Sequence, residues 1–178
     1  CTKSESSFNP FGNLFSSGDG VGIHKSTDEG ETWFEIPSPN SNKGIFSSVA
    51  NANFIFASPY EQGVHRTSND GINWTKVLNI PTANELVISG DTIFAGDAAS
   101  GGIWISTNLG DNWVNVLPGK SINNIKISGN ELYAATMTGV YYSSDRGINW
   151  QSIGLTSVNV NGVEKEFNKL ICATKTGI

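Results

Sequence analysis

"SSDRGINW", residues 143–150, sets hydroxyls, a carboxylate, a guanidinium, a glycine and an indole within eight positions. Taken alone it has the makings of a catalytic cluster. The rest of the chain decides otherwise, because the octet recurs as "STDEGETW" (26–33), "TSNDGINW" (67–74) and "STNLGDNW" (106–113). The closing tryptophans, Trp33, Trp74, Trp113 and Trp150, are 41, 39 and 37 residues apart. A period of that size marks stacked supersecondary units.

Each unit reads as four short strands, A to D, joined by tight turns. In the fourth unit these are "NIKIS", "ELYAAT", "VYYSS" and "WQSI"; in the third they are "ELVIS", "TIFAG", "GIWIS" and "WVNVL". No segment carries a helical period. Four-stranded units repeating at this length predict an all-β fold, a β-propeller of four-stranded antiparallel blades with the octet between strands C and D. Residues 1–12 are expected to be a leader or tether, and 13–178 to hold about four blades. A fifth blade starts over 158–178, so the ring is expected to be incomplete.

The octet suits a turn. Gly30, Gly71, Gly110 and Gly147 supply positive φ. Asp28, Asn69, Asn108 and Asp145 accept hydrogen bonds from nearby backbone N–H groups, and Ser26, Thr67, Ser106 and Ser143 add a second such bond. The four octets resemble the Asp-box, or bacterial neuraminidase repeat, of pattern Ser/Thr-x-Asp-x-Gly-x-x-Trp. Asn69 and Asn108 depart from it, keeping the turn bonds and losing the charge. The resemblance implies that the box is structural and lies on the face away from an active site.

Alignment of the repeats also explains residues that invite a chemical role. His24 and His65 share a column with Trp104 and Tyr141, which points to a packing position for a flat ring rather than a metal ligand or general base. Cys172 aligns with Ala57, Ala95 and Ala134, a column of small residues in strand B, so a buried, inert thiol is expected there. With Cys1 and Cys172 the only cysteines and no Cys/His spacing, no zinc site, metal or cofactor is expected. The start "CTKSESS" resembles a mature bacterial lipoprotein, which makes Cys1 a lipidation candidate; the other reading is that Cys1 is only where the chain starts.

Composition narrows the partners. The net charge is −5 with no basic cluster, which argues against nucleic acid. No stretch approaches the roughly 20 apolar residues of a membrane span. The expected location is extracytoplasmic: secreted, periplasmic or a bacterial cell-surface lipoprotein.

Turn parity sets two faces. The A–B and C–D turns share one; the B–C and D–A connections share the other. The B–C loops, "SSGDGVG", "SPYEQG" and "GDAASGG" against "TMTG" and "TKTG", vary in length, as binding loops do. They present Asp19, Tyr60, Glu61, Asp97 and Met137 as candidate binding residues for a protein or glycan. Three function classes compete. The first is a non-catalytic binding or assembly scaffold, as in the Asp-box relatives of the photosystem II assembly factor and sortilin types. The second is a sialidase, whose family uses three arginines to grip a carboxylate; only Arg66 and Arg146 are present here, and the Phe/Tyr-Arg-Ile-Pro motif is absent. The third is a glycosidase of the xyloglucanase type, which needs two opposed carboxylates that no motif selects. The scaffold is preferred. The alternative is a glycoside hydrolase fragment whose catalytic residues lie mostly outside this chain. Self-association through open blade edges is a further expectation.

Overall fold

The structure, a computed structural model, describes residues 5–8, 14–17, 22–40 and 44–175. The described residues form eighteen strands and no helix. Blade 1 comprises β1 (Glu5–Phe8), β2 (Leu14–Ser17), β3 (Ile23–Ser26) and β4 (Phe34–Ile36). Blade 2 has β5 (Ile45–Ala50), β6 (Ile55–Pro59), β7 (Val64–Thr67) and β8 (Thr75–Leu78). Blade 3 has β9 (Ala83–Ser89), β10 (Thr92–Asp97), β11 (Gly102–Ser106) and β12 (Val114–Asn115). Blade 4 has β13 (Ile122–Ser128), β14 (Glu131–Thr136), β15 (Gly139–Ser143) and β16 (Gln151–Gly154). A two-stranded sheet follows, β17 (Val160–Glu166) and β18 (Lys169–Thr174). Each strand pairs antiparallel with its neighbour in sequence, so every sheet is a meander.

Two expectations are corrected. Residues 5–8 fall in the stretch expected to be a tether, yet they form the A strand of blade 1, pairing Glu5 with Ser17 and Phe8 with Leu14. Ladder pairing uses backbone groups that even a polar stretch such as "ESSF" carries. The D strands begin after the box tryptophan, and β12 covers two residues of "WVNVL". Beyond it a backbone bond remains, Val116 N–H to Ile103 O at 2.8 Å, and the Asn115 side chain adds two more, donating to the Gly101 carbonyl at 2.6 Å and accepting from the Leu117 N–H at 3.3 Å.

The A strands of successive blades lie together, β5 on β9, β9 on β13 and β13 on β17, and the sheets stack face to face without closing a ring. The core therefore lies between blades. One cluster joins Val49, Phe56 and Leu78 of blade 2 to Leu86, Ile93 and Ala95 of blade 3. The next joins Phe94, Ile103 and Ile105 of blade 3 to Ile125, Leu132 and Ala134 of blade 4. Phe56 and Phe94 are almost wholly buried, each worth about 2–3 kcal/mol of burial.

Stacking, not strand pairing, creates that burial. β14 and β18 have nearly the same pattern, yet Leu132 is 2% exposed and its counterpart Leu170 is 37% exposed. Among the described residues, β14 packs on one face against Phe94 of blade 3 and on the other against Val160 and Val163 of β17, whereas β18 is covered on one face, through Cys172.

Candidate functional site

The four octets adopt one geometry. Their glycines have φ of 94, 81, 91 and 84°, and the residues before them, Glu29, Asp70, Leu109 and Arg146, are also left-handed at 58, 52, 56 and 60°. Two successive left-handed residues make a type I′ turn. It is closed by Glu31 N–H to Asp28 O, Ile72 N–H to Asn69 O and Asp111 N–H to Asn108 O, each 3.2 Å. Only the glycines were legible in advance, since Glu, Asp, Leu and Arg share no property that signals positive φ.

The side chains complete the turn. The Ser26, Ser106 and Ser143 hydroxyls each accept the box glycine N–H at 2.8 Å, and Thr67 does so at 3.2 Å. Each hydroxyl in turn donates to the acid or amide oxygen two residues on. Asn69 and Asn108 accept the N–H groups of Asn73 and Asn112 at 3.0 Å, as Asp28 and Asp145 do for Thr32 and Asn149. The hydroxyl and N–H of Thr32, with Ser26, hold Asp28 down at about 2; the backbone N–H and side-chain amide of Asn149, with Ser143, hold Asp145 at about 2. Carboxylates so engaged are turn-formers and poor proton carriers near neutrality.

The boxes also join blades. Trp74, Trp113 and Trp150 pack against clusters shared with the preceding blade. Trp33, Trp113 and Trp150 donate to their own box glycine carbonyl at 3.1, 3.1 and 2.9 Å, whereas Trp74 donates to Pro37 O in blade 1 at 2.8 Å. Lys25 reaches Asp70 of the next box at 2.8 Å. Arg66, in β7, donates to Leu109 O at 2.5 Å and pairs with Asp111 at 2.8 Å, its guanidinium 4.7 Å from the Phe54 ring centroid. Arg146 donates from Nε to Asn130 Oδ1 at 3.0 Å. The two arginines thus serve different turns, and nothing brings them to one ligand.

The faces follow the expected parity. Leu109 and Arg146 donate their backbone N–H to Asp91 O and Asn130 O, placing boxes beside A–B turns. On the opposite face Tyr60, Ala98 and Met137 donate theirs to Gly44 O, Thr82 O and Ser121 O, placing B–C loops beside D–A connections.

Of the candidate binding residues, Asp19 lies outside the described residues, as does Cys1. Tyr60 is 48% exposed, its ring 5.2 Å from that of Phe46; Glu61 is exposed with φ 58°, and Met137 is exposed. Asp97 is corrected: it is 3% exposed and faces its own loop, accepting from the Thr82 hydroxyl and, at 2.7 Å, from the Ala99 N–H. An aspartate in a glycine-rich loop reads equally as ligand or Asx-turn, and only tertiary contacts distinguish the two.

The ring column packs as expected. Trp104 and Tyr141 join inter-blade clusters, and His65 is buried, with Nδ1 lacking a partner and its pKa lowered by burial and by Lys76. Cys172 is a correction of degree: the thiol is half-buried, since among the described residues β18 is covered on one side, and burial still raises its pKa. Among the described residues no cluster of His, Cys, Asp or Glu is placed to hold a metal, and no helix is long and apolar enough to cross a membrane.

A column that single-strand patterns did not reveal runs along the A strands. β5, β9, β13 and β17 each carry a bulge at the same register, inserting Phe46, Asn84, Asn123 and Asn161. Asn84 donates to Ile122 O at 3.0 Å, and Asn123 to Val160 O at 2.8 Å. The next residue caps an edge N–H of the following blade: Ser47 accepts from Leu86, Glu85 from Ile125 and Asn124 from Val163. Inner edges are thereby tied together. In blade 2 an aromatic replaces the bracing amide, which is where the Phe46–Tyr60 pair forms.

Residues 141–152 match the BNR/Asp-box repeat family. No curated protein sequence matches the chain. Among solved structures, an ancestral GH74 enzyme is similar with TM-score 0.69 and 21% identity, over 90% of this chain and 25% of that one. The extracellular domain of a candidate one component system from B. thetaiotaomicron gives TM-score 0.74 and 15% identity, over 96% and 25%. YCF48 bound to D1 peptide gives TM-score 0.63 and 14% identity, over 91% and 59%. The chain spans a quarter of the first two and about three fifths of the third. With four boxes of one geometry on four-stranded meanders, the chain has the fold of a β-propeller of BNR type, and its described sheets do not close a ring.

Proposed function

We propose that this chain is a non-catalytic Asp-box propeller acting as a binding or assembly scaffold for a protein or glycan in an extracytoplasmic compartment, with ligand contact on the B–C loop face. The observation that carries the proposal is the Phe46–Tyr60 aromatic pair on that face, with Glu61 beside it. An exposed ring next to an acceptor suits a sugar face or a peptide edge. The box carboxylates support it from the other side, since Asp28 and Asp145 are consumed in their turns. YCF48, a structural neighbour, is seen bound to a peptide, which favours a protein ligand. Cys1 as a lipid anchor is part of the same proposal.

The second reading is a fragment of a glycoside hydrolase, favoured by the likeness to GH74 enzymes. Glycan-array and peptide-array screening, followed by Tyr60→Ala, separates the two. Binding that falls at least tenfold in Tyr60→Ala without bond cleavage supports the scaffold. Binding untouched by that change but lost when Asp28 or Asp145 is replaced in a folded variant means the wrong face was chosen. Turnover of a xyloglucan or sialoside by the chain overturns the scaffold reading.

A further inference from the structure

Three cations lie against Asp-box turns on the face opposite the proposed loop site. Two are neutralised by a box carboxylate: Lys25 by Asp70 and Arg66 by Asp111, each at 2.8 Å. Arg146 differs. Among the described residues its side chain meets only the neutral Asn130 Oδ1, through Nε, and no acid pairs with its terminal nitrogens.

Arg146 also borders a crevice of about 250 Å³ between blades 3 and 4. Phe94, Ile127 and Leu132 form its apolar wall, and Ser89 and Thr92 bring hydroxyls. The two A–B turns enter it through Gly90 and Gly129, both left-handed, and a Cβ on either would meet nothing within 4 Å. The corresponding crevice between blades 1 and 2 is bordered by Lys25 and Asp70 together, so its cation is already satisfied.

The geometry points to a binding site for a carboxylate bearing an apolar group, gripped by the Arg146 guanidinium with the group lodged against Ile127, the half-buried member of that wall, at the rim of Phe94 and Leu132. A planar fork held at Nε leaves its terminal donors for two parallel bonds to a carboxylate. At about 250 Å³ the crevice has room for a substituent the size of an aromatic ring. Both a free aromatic acid and the C-terminal residue of a peptide present this chemistry.

The test uses two-dimensional amide NMR of the full chain, titrated with phenylacetate, with an acetylated dipeptide ending in a free phenylalanine carboxylate, and with the same dipeptide as its C-terminal amide. For about ten heavy atoms a Kd on the order of 1 mM is expected, with saturable shifts at Gly90, Gly129, Asn130 and Arg146. Arg146→Asn keeps a residue that tolerates positive φ and removes the cation. Asn130→Asp supplies a competing acid in cis, and the turn accepts it, because Asp91 holds the same place in blade 3. Both variants should weaken the shifts at least tenfold. Phenylacetate alone binding assigns the site to free acids, the peptide acid alone to chain ends; either supports the carboxylate site. Equal shifts with the amide, shifts unchanged in both variants, or no saturation by either acid below about 50 mM overturn it.

Discussion

Gly147 of the fourth Asp-box lies against Phe94 of the preceding blade: a Cβ at Gly147 would stand 2.6 Å from the ring's Cε1. The same contact recurs one blade earlier, where a Cβ at Gly110 would be 3.3 Å from Phe56 Cε1. The box glycine therefore answers two demands, a left-handed backbone and a missing side chain at a blade junction.

Gly147→Ala should cost more than Gly129→Ala. Both glycines are left-handed, at φ 84 and 63°, but only Gly147 meets a neighbouring blade. The backbone penalty is about 1 kcal/mol for each, and overpacking adds about 1–3 kcal/mol at Gly147. Urea denaturation of the two variants measures the difference; equal midpoints would refute the junction role.

Asp28 and Asp145, each held at about 2 against an ordinary 3.8, make the fold acid-sensitive. Their folded pKa is depressed, so their stabilising contribution is present above pH 3.8 and is lost as pH falls toward 2. Asp28→Asn with Asp145→Asn, copying Asn69 and Asn108, should flatten the melting temperature between pH 4 and 2 relative to the parent chain. Calorimetry across that range checks it.

His65 titrates in a different window. Burial first, then Lys76, lowers its folded pKa below the ordinary 6.5. Its contribution is therefore complete above pH 6.5 and falls away as pH drops through the depressed value. His65→Phe, matching the ring preference of a column that holds Trp104 and Tyr141, should remove the loss of melting temperature between pH 7.5 and 5. An unchanged slope would mean that folded and unfolded chains bind protons alike at this residue, so that its pKa is not depressed by folding.

Arg66→Met should destabilise the chain by about 1–2 kcal/mol. It loses the hydrogen bond to Leu109 O, the Phe54 contact and the pair with Asp111, whose 61% side-chain exposure limits that last share to about 0.5 kcal/mol. A double-mutant cycle with Asp111→Ala isolates it. A coupling well above 1 kcal/mol would mean that the pair is far less hydrated than its exposure implies.

Periodicity alone determined the architecture. Four octets at near-constant spacing, glycines at a fixed position and alternating strands between them admit few folds, because each pattern reports a local conformation that recurs. The box hydroxyls and carboxylates were legible for the same reason, since their partners lie two to four residues away. What lies between blades was decided by tertiary structure. Asp97 turned inward on Thr82 and Ala99, Arg66 reached a box 43 residues on, and Arg146 found no acid beside the Phe94–Leu132 crevice. Likewise Leu170 repeats Leu132 in sequence and not in burial. Turn chemistry is set by neighbours along the chain, whereas burial, ion pairing and the bulge braces depend on how one sheet meets the next, and that distance is absent from any single repeat.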